Sequence, residues 1–142
     1  MLIRKELEKK AQSFIPANTS LSTVSYGGIN FLHIDFYYKG LPVVWTQINI
    51  EKDELEKEVI ELKITDINKK IFSIKSNGSD VIDTIIEFAK YMGARKIFSR
   101  IFVKDNFNEL NKFYSEKGFS VVHTPKEKSY DSARIFKILK NN

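Results

Sequence analysis

The hydrophobic period changes partway along this chain, and that change restricts the fold more than any one residue does. Over residues 30–38 the apolar side chains Leu32, Ile34, Phe36 and Tyr38 alternate with the opposite face. Residues 41–50, after a Lys39–Gly40 turn, carry β-branched Val43, Val44, Thr46, Ile48 and Ile50. A third run of this kind, 21–26, ends at Gly27–Gly28. A period of two belongs to half-buried strands, and short turns between such runs predict an antiparallel meander. The stretch 51–58 is charged and suits a turn or a short helix. Residues 59–65 read as a strand with Ile60, Leu62 and Ile64 on one face, and 71–75 as a further short strand.

From residue 79 the spacing becomes three and four. Val81, Ile82, Ile85, Ile86, Ala89 and Met92 make a helical stripe, and Gly93 stands where a helix C-terminus needs a left-handed residue. Residues 96–103 predict a strand. Residues 106–117 predict a helix with Phe107, Leu110, Phe113 and Tyr114 on one face, closed by Gly118. Strands at 119–123 and 133–139 end the chain, with 124–132 as an exposed hairpin loop. At the other end, Ile3, Leu7, Ala11 and Phe14 define a helix that Pro16 stops. This order predicts an α+β domain built on a mixed, mainly antiparallel twisted sheet with helices on both faces. With 142 residues and no linker or repeat, one domain spanning 1–142 is expected.

Composition removes several function classes. There is no Cys, which excludes disulfides, thiolate metal sites and a cysteine nucleophile. Two His are too few for a persuasive metal cluster, so no metal is expected. No window approaches the roughly 18 apolar residues of a membrane span, and the charged start MLIRKELEKKAQ is unlike a signal peptide. The expectation is a cytoplasmic protein without a membrane partner. A net charge of +5 favours anionic partners in general. The basic residues are spread and interleaved with acids, which disfavours nucleic acid.

Two pieces carry a family resemblance. FYSEKGF at 113–119 and KYMGARKI at 90–97, in the order helix, turn, strand, helix, Gly-Phe, resemble the acetyl-CoA-binding half of the GNAT N-acetyltransferase superfamily. The resemblance is specific over about residues 75–123 and topological over the meander. It implies a GNAT-like fold, acetyl-CoA as co-substrate and a small-molecule or peptide amine as acceptor. By analogy with the family it also suggests a homodimer. The tyrosine matching Tyr114 would protonate the departing thiolate; a phenol with a pKa of about 10 is protonated at neutral pH. A core aromatic on the apolar helix face is the other reading of Tyr114.

Lys75-Ser76-Asn77-Gly78-Ser79-Asp80 is the best match to the family's pyrophosphate loop. A helix N-terminus there offers backbone N–H groups, Gly78 permits close approach, and Lys75 replaces the usual Gln or Arg. Asp80 departs from the family pattern of Gly or Ala and puts a carboxylate at the dipole end that phosphate needs. Asn77 and Asp80 also fit a capping box. Asn106 would supply the pantetheine contact if the helix start shifts by one, because the family's Asn position falls on Phe107. For a general base the resemblance offers Glu61 or Glu58, with backbone groups of Leu62, Lys63 and Ile64 facing the pantetheine arm. His33, on the face shared by Phe31, Asp35 and Tyr37, is a candidate either for an acceptor pocket or for a surface position, and Trp45 reads as core or cleft wall. The competing reading is a GNAT-like module that has lost catalysis and binds a partner.

Overall fold

The computed structural model describes residues 2–16, 21–27, 31–52, 54–68, 77–102, 107–127 and 130–139. Helix α1 (Leu2–Gln12) precedes strands β1 (Leu21–Gly27), β2 (Leu32–Tyr38), β3 (Leu41–Lys52) and β4 (Glu58–Ile67). Helix α2 (Asn77–Tyr91), β5 (Lys96–Phe102), α3 (Phe107–Glu116), β6 (Ser120–Glu127) and β7 (Tyr130–Ile138) follow. The strands form one seven-stranded sheet in the order β1-β2-β3-β4-β5-β7-β6. All neighbours are antiparallel except β4 and β5. The α+β class and the mixed, mainly antiparallel sheet are therefore as the sequence predicts.

Turn chemistry sets the meander. Lys39 and Gly40 have φ of 48° and 80°, the two positive values that a two-residue hairpin turn needs to match strand twist. The opposite register of each strand then follows from burial. Leu32, Ile34 and Phe36 of β2, Val44 and Ile48 of β3, Leu62 and Ile64 of β4, and Ile97 of β5 are all at most 2% exposed and lie on one face. Burying each such side chain contributes about 1.5–3 kcal/mol.

The described helices all cover that same face. Phe88 of α2 makes edge contacts with Phe36 of β2 at 5.7 Å and with Phe14, just after α1, at 5.0 Å. Lys117, just after α3, bonds Asp83 of α2 at 3.0 Å. The two crossovers, β4-α2-β5 and β5-α3-β6, run in the same direction across the sheet, so right-handedness puts both helices on one side. The expected second helical layer is not found among the described residues, and β1 reaches β2 through only four intervening positions, 28–31. The opposite face instead presents Asp35, Trp45, Gln47, Glu61, Lys63, Lys96, Phe98, Arg100, Arg134 and Phe136, as their register positions require.

Two boundaries differ from the sequence reading. Residues 124–132 are mostly strand, because β6 runs to Glu127 and β7 starts at Tyr130. Pro125 is accommodated since β6 is an edge strand and its register with β7 shifts between Thr124 and Glu127. In addition, β3 runs on to Lys52 and β4 starts at Glu58, beyond the ends predicted for those strands, and the described residues 54–57 form the turn that the charged stretch allows. The strand predicted at 71–75 lies outside the described residues.

Candidate active site

The single parallel pair of the described sheet comes apart partway along. β4 and β5 are in register over Glu61–Lys96, Leu62–Ile97 and Lys63–Phe98, and there the ladder stops, although both strands continue. At the next step Ser99 Oγ donates to the Ile64 carbonyl at 2.8 Å, a side chain bridging where a backbone amide no longer can. Ser99 is also the side-chain hydrogen-bond partner of Tyr114. Tyr114 is 1% exposed. Burial raises its phenol pKa well above the ordinary value, with the Ser99 bond acting the other way. A line of hydrogen-bonding groups thus runs from α3 through β5 to β4 at the point of separation.

Tyr114 is held there by the way α3 ends. Gly118, at φ 83°, takes the left-handed position. Phe119 N donates to Tyr114 O and Gly118 N to Ser115 O, both at 3.1 Å. These are the two bonds of a Schellman C-cap, and the Tyr114 and Phe119 rings, 5.1 Å apart, form its apolar contact. The FYSEKGF stretch is therefore a helix stop with both aromatics in structural positions. Helix α2 ends the same way, with Gly93 N bonded to Lys90 O and Ala94 N to Ala89 O.

On the face away from the helices lies a cavity of about 750 Å³. Its floor is the cross-strand pair Phe98 and Phe136, and its charged lining is Lys63, Lys96, Arg100 and Arg134. Glu61 points to this face, as its position between Ile60 and Leu62 predicts. It is nevertheless only 7% exposed, because Lys96 lies 3.7 Å from its carboxylate. Glu58 is exposed at the far end of β4. His33 stacks edge-on to Phe31 at 4.7 Å on the same side of the sheet as the cavity, but two strands away from β4. Trp45 is half-buried, in register with Asp35 and Asp66.

Of the other expected site residues, Leu62 and Lys63 are held in the ladder and Ile64 stands at its first unpaired step. Asn77, Gly78, Ser79 and Asp80 form the first turn of α2, whose backbone begins two residues earlier than predicted; nothing of their side chains is described. Lys75 and Asn106 lie outside the described residues. Sequence reasoning missed Ser99, Lys96, Arg100 and Arg134. For Ser99 a signal exists: it stands two residues after the buried Ile97, on the inward period of β5.

No family model matches the sequence, and no curated protein sequence is significantly similar to it. Solved structures do match. A GNAT-family acetyltransferase from Streptococcus pneumoniae superposes with a TM-score of 0.54 at 17% identity, covering 80% of this chain and 70% of that one. The Campylobacter jejuni N-acetyltransferase PseH in complex with acetyl coenzyme A gives 0.50 at 13% identity, covering 80% and 71%. A dodecameric spermidine N-acetyltransferase from Vibrio cholerae gives 0.54 at 14% identity, covering 78% and 66%. The chain has the GNAT fold.

Proposed function

We propose that this GNAT-fold chain transfers an acetyl group from acetyl-CoA to a primary amine. The observation that carries the reading is the opened β4–β5 pair with the Tyr114–Ser99–Ile64 line at its base. An extended amide arm can add to β4 only where β5 has left it, and Ile64 is the first such residue. Its carbonyl is satisfied by Ser99, a bond that an incoming amide N–H replaces. The pyrophosphate is assigned to the start of α2, with Lys75, Asn77, Gly78, Ser79 and the backbone at Asp80 as its contacts. Asn106 is assigned to the pantetheine arm.

The neutral amine attacks the thioester carbonyl; a C–N bond forms, the C–S bond breaks, and the thiolate takes a proton from Tyr114. The phenol is protonated at neutral pH and so has the proton to give, although the burial that raises its pKa makes it a weaker acid than a free phenol. Glu61 stands three residues before Ile64, roughly 10 Å along the strand, so it accepts the amine proton through water. Glu58, three residues further back and exposed, is the weaker candidate.

The test is direct. With acetyl-CoA at about 100 times its Kd, folding stability rises by about 2.7 kcal/mol, and CoA thiol is released when an amine is added. Tyr114→Phe keeps the binding and loses about a hundredfold in turnover. Turnover unchanged in that variant removes Tyr114 from the reaction. A second reading, a non-catalytic binding module, is favoured by the complete burial of Tyr114 and by Asp80 at the phosphate end of α2. Absence of any stabilisation by acetyl-CoA, recovered in Asp80→Gly, would establish that reading.

A further inference from the structure

The cavity on the helix-free face has a charge pattern that the transfer chemistry does not require. Among the described residues its lining includes Lys63, Lys96, Arg100 and Arg134 and no carboxylate. Lys96 is committed to Glu61 and lies 5.4 Å above the Phe98 ring. The other three cations remain. Arg100 and Arg134 are direct cross-strand partners of β5 and β7, so their side chains leave the sheet on the same face within a few Å of each other. Like charges placed directly opposite in a sheet are destabilising. An anion between them removes that repulsion, and two guanidinium forks match phosphate oxygens in geometry as well as in sign. Beside them Phe98 and Phe136, also direct partners, offer a half-buried aromatic floor.

We infer that this cavity is the acceptor site and that the acceptor is an amine carrying a phosphomonoester. Its phosphate lies between Arg100 and Arg134 with Lys63 beside it, and its apolar body lies on Phe98 and Phe136. A dianion offsets the two arginines more fully than a carboxylate does, which selects phosphate. The site also lies where an acceptor must be. Lys63 and Phe98 form the last rung of the β4–β5 ladder, and the phosphate pocket starts at that rung, one step from the Ser99–Ile64 bridge. The assignment as acceptor site rests on the acetyl-transfer reading; the anion site itself rests only on the geometry above.

Both parts are tested with the full chain. Phenyl phosphate is titrated against labelled protein and followed by NMR. Saturable shifts are expected over Phe98–Arg100 and Arg134–Phe136, with benzoate binding about tenfold more weakly. Arg100→Gln and Arg134→Gln, both at exposed positions, each weaken phenyl phosphate by about tenfold. Lys90→Gln on α2 leaves its affinity unchanged. Shifts confined to other regions, or affinity intact in both arginine variants, overturn the site. Benzoate binding as tightly as phenyl phosphate overturns the choice of phosphate.

The second arm compares an aminomethyl-phenyl phosphate with the matching phenol as acceptors with acetyl-CoA. The phosphate is expected to raise kcat/KM by about tenfold, mainly through KM, and Arg134→Gln to erase the difference. Equal kcat/KM for the two amines overturns the acceptor assignment. Phosphate binding intact with no transfer to either amine, and no stabilisation by acetyl-CoA, overturns the acetyl-transfer reading and leaves the anion site standing.

Discussion

Replacing Ser99 is the sharpest probe of the candidate site, because one hydroxyl serves two buried groups. It donates to the Ile64 carbonyl at 2.8 Å and partners the Tyr114 phenol, itself 1% exposed. Ser99→Ala removes the net worth of a hydrogen bond, about 1 kcal/mol, and leaves a buried phenol hydroxyl unpaired at a further cost of about 2 kcal/mol. The expected loss is about 3 kcal/mol. Tyr114→Phe deletes the phenol oxygen while Ser99 keeps its bond to Ile64, so about 1 kcal/mol is lost. In the double variant no phenol is left to orphan, and the total is about 2 kcal/mol rather than the sum of about 4 kcal/mol. Equilibrium urea unfolding of the four proteins measures the cycle. For a chain of this length 1 kcal/mol corresponds to about 3 °C in Tm, so Ser99→Ala should melt about 9 °C below the parent. Single-variant costs that add to within about 0.5 kcal/mol would refute the reasoning, as would a Ser99→Ala loss no larger than that of Tyr114→Phe.

Further predictions concern the phenol, the caps and the β2–β3 hairpin. The folded Tyr114 phenol holds its proton above the ordinary pKa of 10.0, so above that pH the unfolded chain releases a proton that the folded chain keeps. Its contribution to stability is complete below pH 10 and falls by about 1.4 kcal/mol per pH unit above it; alkaline unfolding curves of Tyr114→Phe should be correspondingly shallower. Gly118→Ala places a Cβ 2.8 Å from Lys137 Nζ, which bonds Lys117 O, whereas a Cβ at Gly93 meets nothing within 4 Å. Both variants bear about 1 kcal/mol of left-handed strain. Gly118→Ala should therefore unfold at lower urea than Gly93→Ala, and equal midpoints would remove the Lys137 contribution. Lys39, a non-glycine at φ 48°, should gain about 0.5 kcal/mol on Lys39→Asn, since Asn tolerates that region better; a lower melting temperature would count against the turn assignment.

How far each part could be read from the sequence follows from how local its physics is. The hairpin at Lys39–Gly40, the stripe of α2 and the glycine stops at Gly93 and Gly118 depend on neighbours within a few residues. FYSEKGF is the clearest case. Tyr114 and Phe119 are spaced as the two ends of a helix C-cap, so the motif is visible to the eye and points to the fold. Its visibility says little about chemistry, because a cap explains both aromatics. What brings Tyr114 to the opened strands is Ser99, fifteen positions earlier, and nothing in the helix itself indicates that bond.

The extent of β6 shows the same boundary from the other side. Pro125 reads locally as a loop signal, yet an edge strand with a shifted register tolerates it. Which strand lies at the edge is a property of the assembled sheet. The layering is likewise decided by the assembled chain: two crossovers advancing in one direction place α2 and α3 on the same side. The other side is left with polar, basic and aromatic residues.

By itself, then, the sequence determined the elements, their order and the glycine-closed helices of a GNAT-like fold, since hydrophobic period and backbone sterics act over one or two turns. Only the tertiary structure decided that Tyr114, Ser99 and Ile64 form one line. It alone set Arg100 against Arg134 beside Lys63. Those groupings are products of strand register, and register is fixed by burying one face of the whole sheet at once.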